Sequence, residues 1–73
     1  MSDWQPHHGG FIKGNIAVFP FHFGSWEVWY RPSPYSDWTE VKPSIIVPAG
    51  KNRAETIERA KRAAEEWSAY ENR

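Results

Sequence analysis

The sequence predicts an α+β fold: an antiparallel sheet of three strands with one C-terminal α-helix packed across one face. Three stretches carry that expectation. Residues 51–73, KNRAETIERAKRAAEEWSAYENR, space their apolar residues at steps of three and four, the period of a helix. Residues 16–31, IAVFPFHFGSWEVWYR, are two strand-like runs on either side of Gly24-Ser25. Residues 43–48, PSIIVP, hold a β-branched run between two prolines.

The helix is expected over residues 53–71. Asn52 is a good N-cap, Glu55 stands three residues later at capping-box spacing, and Gly50 turns the chain into the cap. Ala54, Ile57, Ala60, Ala64, Trp67 and Tyr70 form one apolar stripe. Its alanines let the helix lie close to a sheet, with Ile57 and Trp67 as the large contacts. On the solvent face, Glu55–Arg59, Glu58–Arg62 and Lys61–Glu65 stand at i, i+4 and are expected to pair, which reads as a mixed-charge solvated face and not as a basic patch.

The hairpin is expected over residues 16–31. A Gly-X pair between alternating runs is the signature of a two-residue type II′ turn. That turn sets Phe23 opposite Trp26, His22 opposite Glu27, Phe21 opposite Val28 and Pro20 opposite Trp29. Side chains alternate, so Phe19, Phe21, Phe23, Trp26, Val28 and Tyr30 share one face, expected to be the core face under the helix. Val18, Pro20, His22, Glu27, Trp29 and Arg31 share the other. Pro20 falls at a non-hydrogen-bonded pair, so its missing N–H points away from the second strand, and the first strand is expected to be an edge.

The second strand is then central, with residues 43–48 as its other, proline-blunted neighbour. Residues 11–18 either extend the first strand or add a fourth, with Gly14 marking a bend. Residues 1–10 read as a flexible lead-in to a single domain spanning 11–73.

Composition narrows the function classes. A chain of 73 residues is one domain with a small core. It has no cysteine, which excludes disulfides and thiolate metal sites and leaves its 16% aromatic content, or self-association, as the stabilising device. Nine Lys and Arg balance nine Asp and Glu, with no basic excess of the sort that marks phosphate-backbone binders. No apolar stretch approaches the length of a membrane span and the N-terminus has no signal-peptide pattern, so a cytoplasmic location is expected.

Catalytic constellations are thin. His22 and Glu27, directly opposite in the expected register, can be read as an acid–base dyad, but a cross-strand stabilising pair explains them as well. His7, His8, His22 and Asp3 match no metal-ligand spacing, and Gly9, Gly10 and Gly14 lack the Lys-Ser/Thr and the strand–loop–helix setting of a phosphate loop. No enzyme activity, cofactor or metal is expected.

The remaining signal is aromatic. Trp29 lies on the face away from the helix, and the long connection RPSPYSDWTEV, residues 31–41, adds Tyr35 and Trp38 near the end of its strand. Trp29, Arg31, Tyr35 and Trp38 are the candidate partner-binding patch, being of the types enriched at interface hot spots. The competing reading is that the N-terminal segment folds back as a lid, with Trp4, Phe11 or Ile12 over Trp29, or that two protomers bury this face against each other as a homodimer.

Two functions follow. The first is a small protein-binding or regulatory module, with a protein partner or a second copy as its ligand; size and tryptophan richness suit an accessory protein of a phage or other mobile element. The second is a DNA-binding module. A three-stranded sheet followed by a C-terminal helix resembles the arm-binding domains of tyrosine recombinases and plant AP2-type domains. That resemblance rests on element order alone, and it implies strands in the major groove with Lys13, Arg31 and Lys42 as the cations available for phosphate contacts.

Overall fold

The computed structural model describes residues 3–71. The fold is α+β: an open antiparallel sheet on which one C-terminal helix lies. Its strands are β1 (Gln5–His7), β2 (Gly10–Lys13), β3 (Ile16–Pro20), β4 (Trp26–Tyr30), β5 (Thr39–Glu40) and β6 (Ile46–Val47), and the helix is α1 (Arg53–Glu71). The order across the sheet is β1-β2-β3-β4-β5, with β6 also paired to β4.

The strand number exceeds the expected three because residues 3–13, taken partly as a lead-in, add a hairpin. Turns at His8-Gly9 and Gly14-Asn15 fold β1 onto β2 and β2 onto β3. Gly10 is what lets β2 approach. A Cβ there would collide with the Val18 carbonyl oxygen and with Phe19. The first strand of the central hairpin is therefore not an edge. Pro20 is tolerated because β2 pairs with β3 only as far as Val18, and the missing N–H lies past its end.

The register of β3 on β4 differs from the expected one. The observed pairs are Pro20↔Trp26, Phe19↔Glu27, Val18↔Val28, Ala17↔Trp29 and Ile16↔Tyr30. The connection is a five-residue segment, Phe21 to Ser25, built on one 3₁₀ turn over His22–Gly24. Gly24 does adopt positive φ, at 78°, but it closes the 3₁₀ turn and does not open a two-residue one. Phe21 N–H donates to the Ser25 carbonyl at 2.8 Å, and Ser25 N–H and Oγ both donate to the His22 carbonyl. Relative to the expected pairing, β3 has slipped by three residues. An odd slip exchanges its faces. Ile16 and Val18 go inward in place of Phe19, Phe21 and Phe23; Phe21 is 42% exposed and Phe23 99%. Trp26, Val28 and Tyr30 stay on the helix side as expected, because β4 itself did not shift faces.

The second edge of β4 is shared. β5 pairs with its C-terminal half, Trp29↔Glu40 and Tyr30↔Thr39. β6, within the expected third strand, pairs with its N-terminal half, Trp26↔Val47 and Glu27↔Ile46. Between them Val28 N–H donates to Ile45 and its carbonyl accepts from Val41 N–H, so the central strand is bonded along both sides.

The core lies between this sheet and α1: Ile16, Val18, Trp26, Val28, Val41 and Val47 face Ile57, Ala60 and Ala64. Trp4, Phe11, Tyr30 and Trp67 pack around its rim. Ala60 and Ala64 are fully buried, as close helix-to-sheet packing requires, whereas Ala54 and Tyr70 at the ends of the expected stripe are exposed. The start of α1 is capped as its sequence indicates: Asn52 Oδ1 accepts the Glu55 N–H at 2.8 Å. Buried Thr56 Oγ1 adds a link, donating to the Asn52 carbonyl and accepting from Gly50 N–H. Of the expected helix pairs, Glu55–Arg59 forms at 3.0 Å. Glu65 instead takes Lys13 of β2 at 2.6 Å, and Lys61 lies over the Phe11 ring at 4.4 Å. Those two contacts tie the helix to the N-terminal hairpin.

Gly10 supplies the sharpest test of this arrangement. Gly10→Ala is expected to destabilise the chain by about 1–3 kcal/mol, the range for forced overpacking, in a urea titration. Gly9→Ala, where the added carbon meets nothing but φ is positive, should show a smaller loss.

Candidate functional site

The register assigns a second set of residues to the sheet face away from α1. Ala17 and Phe19 of β3 stand there opposite Trp29 and Glu27 of β4, with Ile12 of β2 beside Ala17 and with Glu40 of β5 and Ile46 of β6 on the other side. Ala17 and Glu27 are buried although no helix covers them. The covering comes from the aromatic side chains of the face itself.

The Phe19 ring meets Trp29 edge-on, with centroids 5.9 Å apart, and meets Trp38 at 6.2 Å, also near perpendicular. Both are favourable quadrupole geometries. The Arg31 guanidinium lies over the Trp38 ring at 4.4 Å, within cation–π range. Arg31 also donates to the Gly14 carbonyl at 3.1 Å and to the Pro34 carbonyl at 3.4 Å. It thus fastens the β2–β3 turn and the 31–38 connection to the same ring. Within that connection Ser36 N–H donates to the Ser33 carbonyl, the Ser33 and Ser36 hydroxyls bond each other at 2.9 Å, and Tyr35 N–H donates to Ser33 Oγ. The loop is closed by its own hydrogen bonds, and Tyr35 stands out from it, 98% exposed.

Three of the four residues expected to bind a partner are therefore brought together: Trp29, Arg31 and Trp38. Tyr35 belongs to the same loop but projects away from the ring cluster. The competing reading, an N-terminal lid over Trp29, is not seen among the described residues. Trp4 and Phe11 pack on the helix side, and only Ile12 reaches the outer face. The ring against Trp29 is Phe19, and Trp38 packs on Phe19 in turn. Phe19 was missed because the two-residue turn placed it in the core; a five-residue connection is the change that recovers it.

An acidic element completes the site. Trp29 Nε1–H donates to Glu27 Oε1 at 3.1 Å. Burial, then the hydrogen-bonded and negatively charged Glu40 beside it, push the Glu27 carboxyl above the ordinary carboxylic range, against the smaller opposing effect of the Trp29 bond. The expected His22–Glu27 pair is absent: Glu27 faces Phe19, while His22 sits in the 3₁₀ turn with its ring 4.5 Å from that of Phe21.

The cations named for nucleic acid do not gather. Lys13 is on the helix side, bound to Glu65; Arg31 lies on the outer face over Trp38; Lys42 borders an opening shared with Tyr30, Trp67 and Glu71 near the helix C-terminus. Among the described residues, no group of three or more His, Asp or Glu side chains converges on a point where a metal could sit. No helix among the described residues is long and apolar enough to cross a membrane. No family model, no curated protein and no solved structure matches the chain.

Glu27 gives the site a pH signature. Its carboxyl holds a proton to higher pH in the folded chain than in the unfolded one. Stability from this group is therefore full below the unfolded carboxyl range and is lost as pH rises through the raised folded value. Glu27→Gln is expected to raise the thermal midpoint at pH 7, with the gain shrinking towards about pH 4, in unfolding scans across that interval.

Proposed function

We propose that the chain is a small non-enzymatic protein-binding module whose contact surface is the outer sheet face, centred on Trp29, Arg31 and Trp38 and extended by Tyr35. One observation carries this reading. On the outer face Phe19 touches both Trp29 and Trp38 and Arg31 lies over Trp38, and no further layer of the described residues lies over them. Trp, Tyr and Arg are the side chains that most often dominate binding energy at interfaces. Here Trp29, Trp38 and Arg31 are already held in place by ring contacts and by the hydrogen bonds of Arg31, which lowers the ordering cost of association. Glu27 and Glu40 add a polar element beside the rings, suited to fixing orientation more than affinity.

The DNA-binding alternative has less support. Lys13 is neutralised by Glu65, and the outer face that would enter a groove carries two carboxyl groups and one arginine. Phosphate contacts ordinarily dominate affinity for duplexes, and this face offers few.

The test compares immobilised wild-type chain, a Trp29→Ala/Trp38→Ala double variant and an Arg62→Ala helix-face control, each confirmed folded by circular dichroism. A protein bound from host extract by the wild type and by the control is expected to be lost from the double variant, with affinity of the purified pair falling at least ~30-fold, as for hot-spot truncation. Retention by the double variant contradicts the reading. A parallel salt titration against random duplex DNA is expected to show no binding even at low ionic strength.

A further inference from the structure

The C-terminal end of α1 carries charges that neither the fold nor the outer face uses. A cavity of about 430 Å³ lies between the last turn of α1 and β5, lined by Tyr30, Thr39, Glu40, Lys42, Trp67 and Glu71. That volume is on the scale of small-molecule sites. The Tyr30 and Trp67 rings, with centroids 5.2 Å apart, supply its apolar wall. Tyr30, Thr39 and Trp67 each bring a donor group to the same lining.

The charges of this cavity come from different elements. Glu71 belongs to the helix, and Lys42 to the segment that leaves β5. Both are exposed, and neither takes part in an ion pair among the described residues. Glu40 is engaged elsewhere: it accepts a hydrogen bond from Ser44 Oγ at 3.5 Å and stands beside Glu27. The helix end adds to the negative side. Its last turn holds no basic residue, and the carbonyl end of a helix favours a cation.

We infer that this cavity binds a small zwitterion of the amino-acid class. Glu71 and the end of α1 hold its ammonium, Lys42 holds its carboxylate, and its apolar part packs against Tyr30 and Trp67. The mixed lining selects this class. A simple cation is opposed by Lys42, and a simple anion by Glu71 and Glu40, so each kind of single-charge ligand meets a repulsive group. A ligand with both charges satisfies both walls. The ion pairs are solvent-exposed and individually weak, so the dissociation constant is on the order of 1 mM. Lys42, Trp67 and Glu71 lie outside the Phe19–Trp29–Trp38 cluster, so occupancy here is independent of the outer face.

An NMR titration of the full chain tests this with three probes: leucine, isocaproate (leucine without its amino group) and isoamylamine (leucine without its carboxylate). Leucine is expected to shift the Trp67 indole N–H and the amides of Thr39 to Lys42 saturably. Each analogue is expected to bind about fivefold more weakly, the loss of one exposed ion pair. Lys42→Gln is expected to erase the preference for leucine over isoamylamine, and Glu71→Gln the preference over isocaproate. Both substitutions fall on exposed side chains and should keep the wild-type circular dichroism spectrum. The absence of a saturable shift from leucine up to ~50 mM, well above the expected dissociation constant, overturns the inference. An analogue that binds as tightly as leucine would assign the cavity to a simple cation or anion and overturn it equally, as would a ranking of the three probes unchanged in both variants.

Discussion

The pairing of β3 with β4 is the constraint on which the rest of the structure depends. With Val18 opposite Val28, β3 turns its two β-branched residues, Ile16 and Val18, to the helix and turns Ala17 and Phe19 away. Everything outward follows. Ala17 is small enough to be sealed beneath Trp29, and Phe19 stands where it meets both tryptophans. A slip of one or three residues would exchange these sets. It would put phenylalanines against Ala60 and Ala64, which lie too close to the sheet to admit them, and would turn Ile16 and Val18 to the outer face.

Two partial layers result from one narrow sheet. On the helix side burial is complete at the centre and is finished at the rim by rings: Phe11 stacked on Trp26, Tyr30 tilted against Trp67, Lys61 across Phe11. On the outer side no second α-helix lies among the described residues. The 31–38 connection does a smaller version of the same work, laying Trp38 across the face and bracing it with Arg31. A chain of 73 residues without cysteine can stabilise only so much core, and rings that shelter one another are an economical solution. They also leave apolar surface within reach of a partner, which is why the same residues that complete the fold are those proposed to bind.

Much of this was legible in the sequence, and the limits have physical causes. The helix was readable because its signals agree: the Asn52 cap, the alanine spacing and Ile57 all point to one stripe. The grouping of Trp29, Arg31 and Trp38 was readable because β4 alternates cleanly between core and outer face. β3 was not. In IAVFPFHF every position but His22 is apolar, so either register hides hydrophobic residues and the pattern does not choose between them. The choice then fell to the turn, where Gly24-Ser25 imitates a two-residue signal while serving as the end of a longer connection. The N-terminal hairpin was hidden for another reason. β1 is three residues long with Pro6 at its centre, too short and too irregular to carry a period, and its place is set by the tertiary contacts of Trp4, Phe11 and Lys13.

The measurement that bears most directly on this account is the set of cross-strand Hα–Hα nuclear Overhauser effects in the central hairpin. Such contacts are strongest at non-hydrogen-bonded pairs. The hydrogen bond from Arg31 N–H to Asn15 and that from Val28 N–H to Ile45, away from β3, identify these pairs as Ile16–Tyr30, Val18–Val28 and Pro20–Trp26. Strong effects at Val18–Val28 and Ile16–Tyr30 are the expected result. Strong effects at Pro20–Trp29 and His22–Glu27 instead would establish the two-residue turn, return Phe19 to the core and remove the outer aromatic cluster on which the proposed binding face rests.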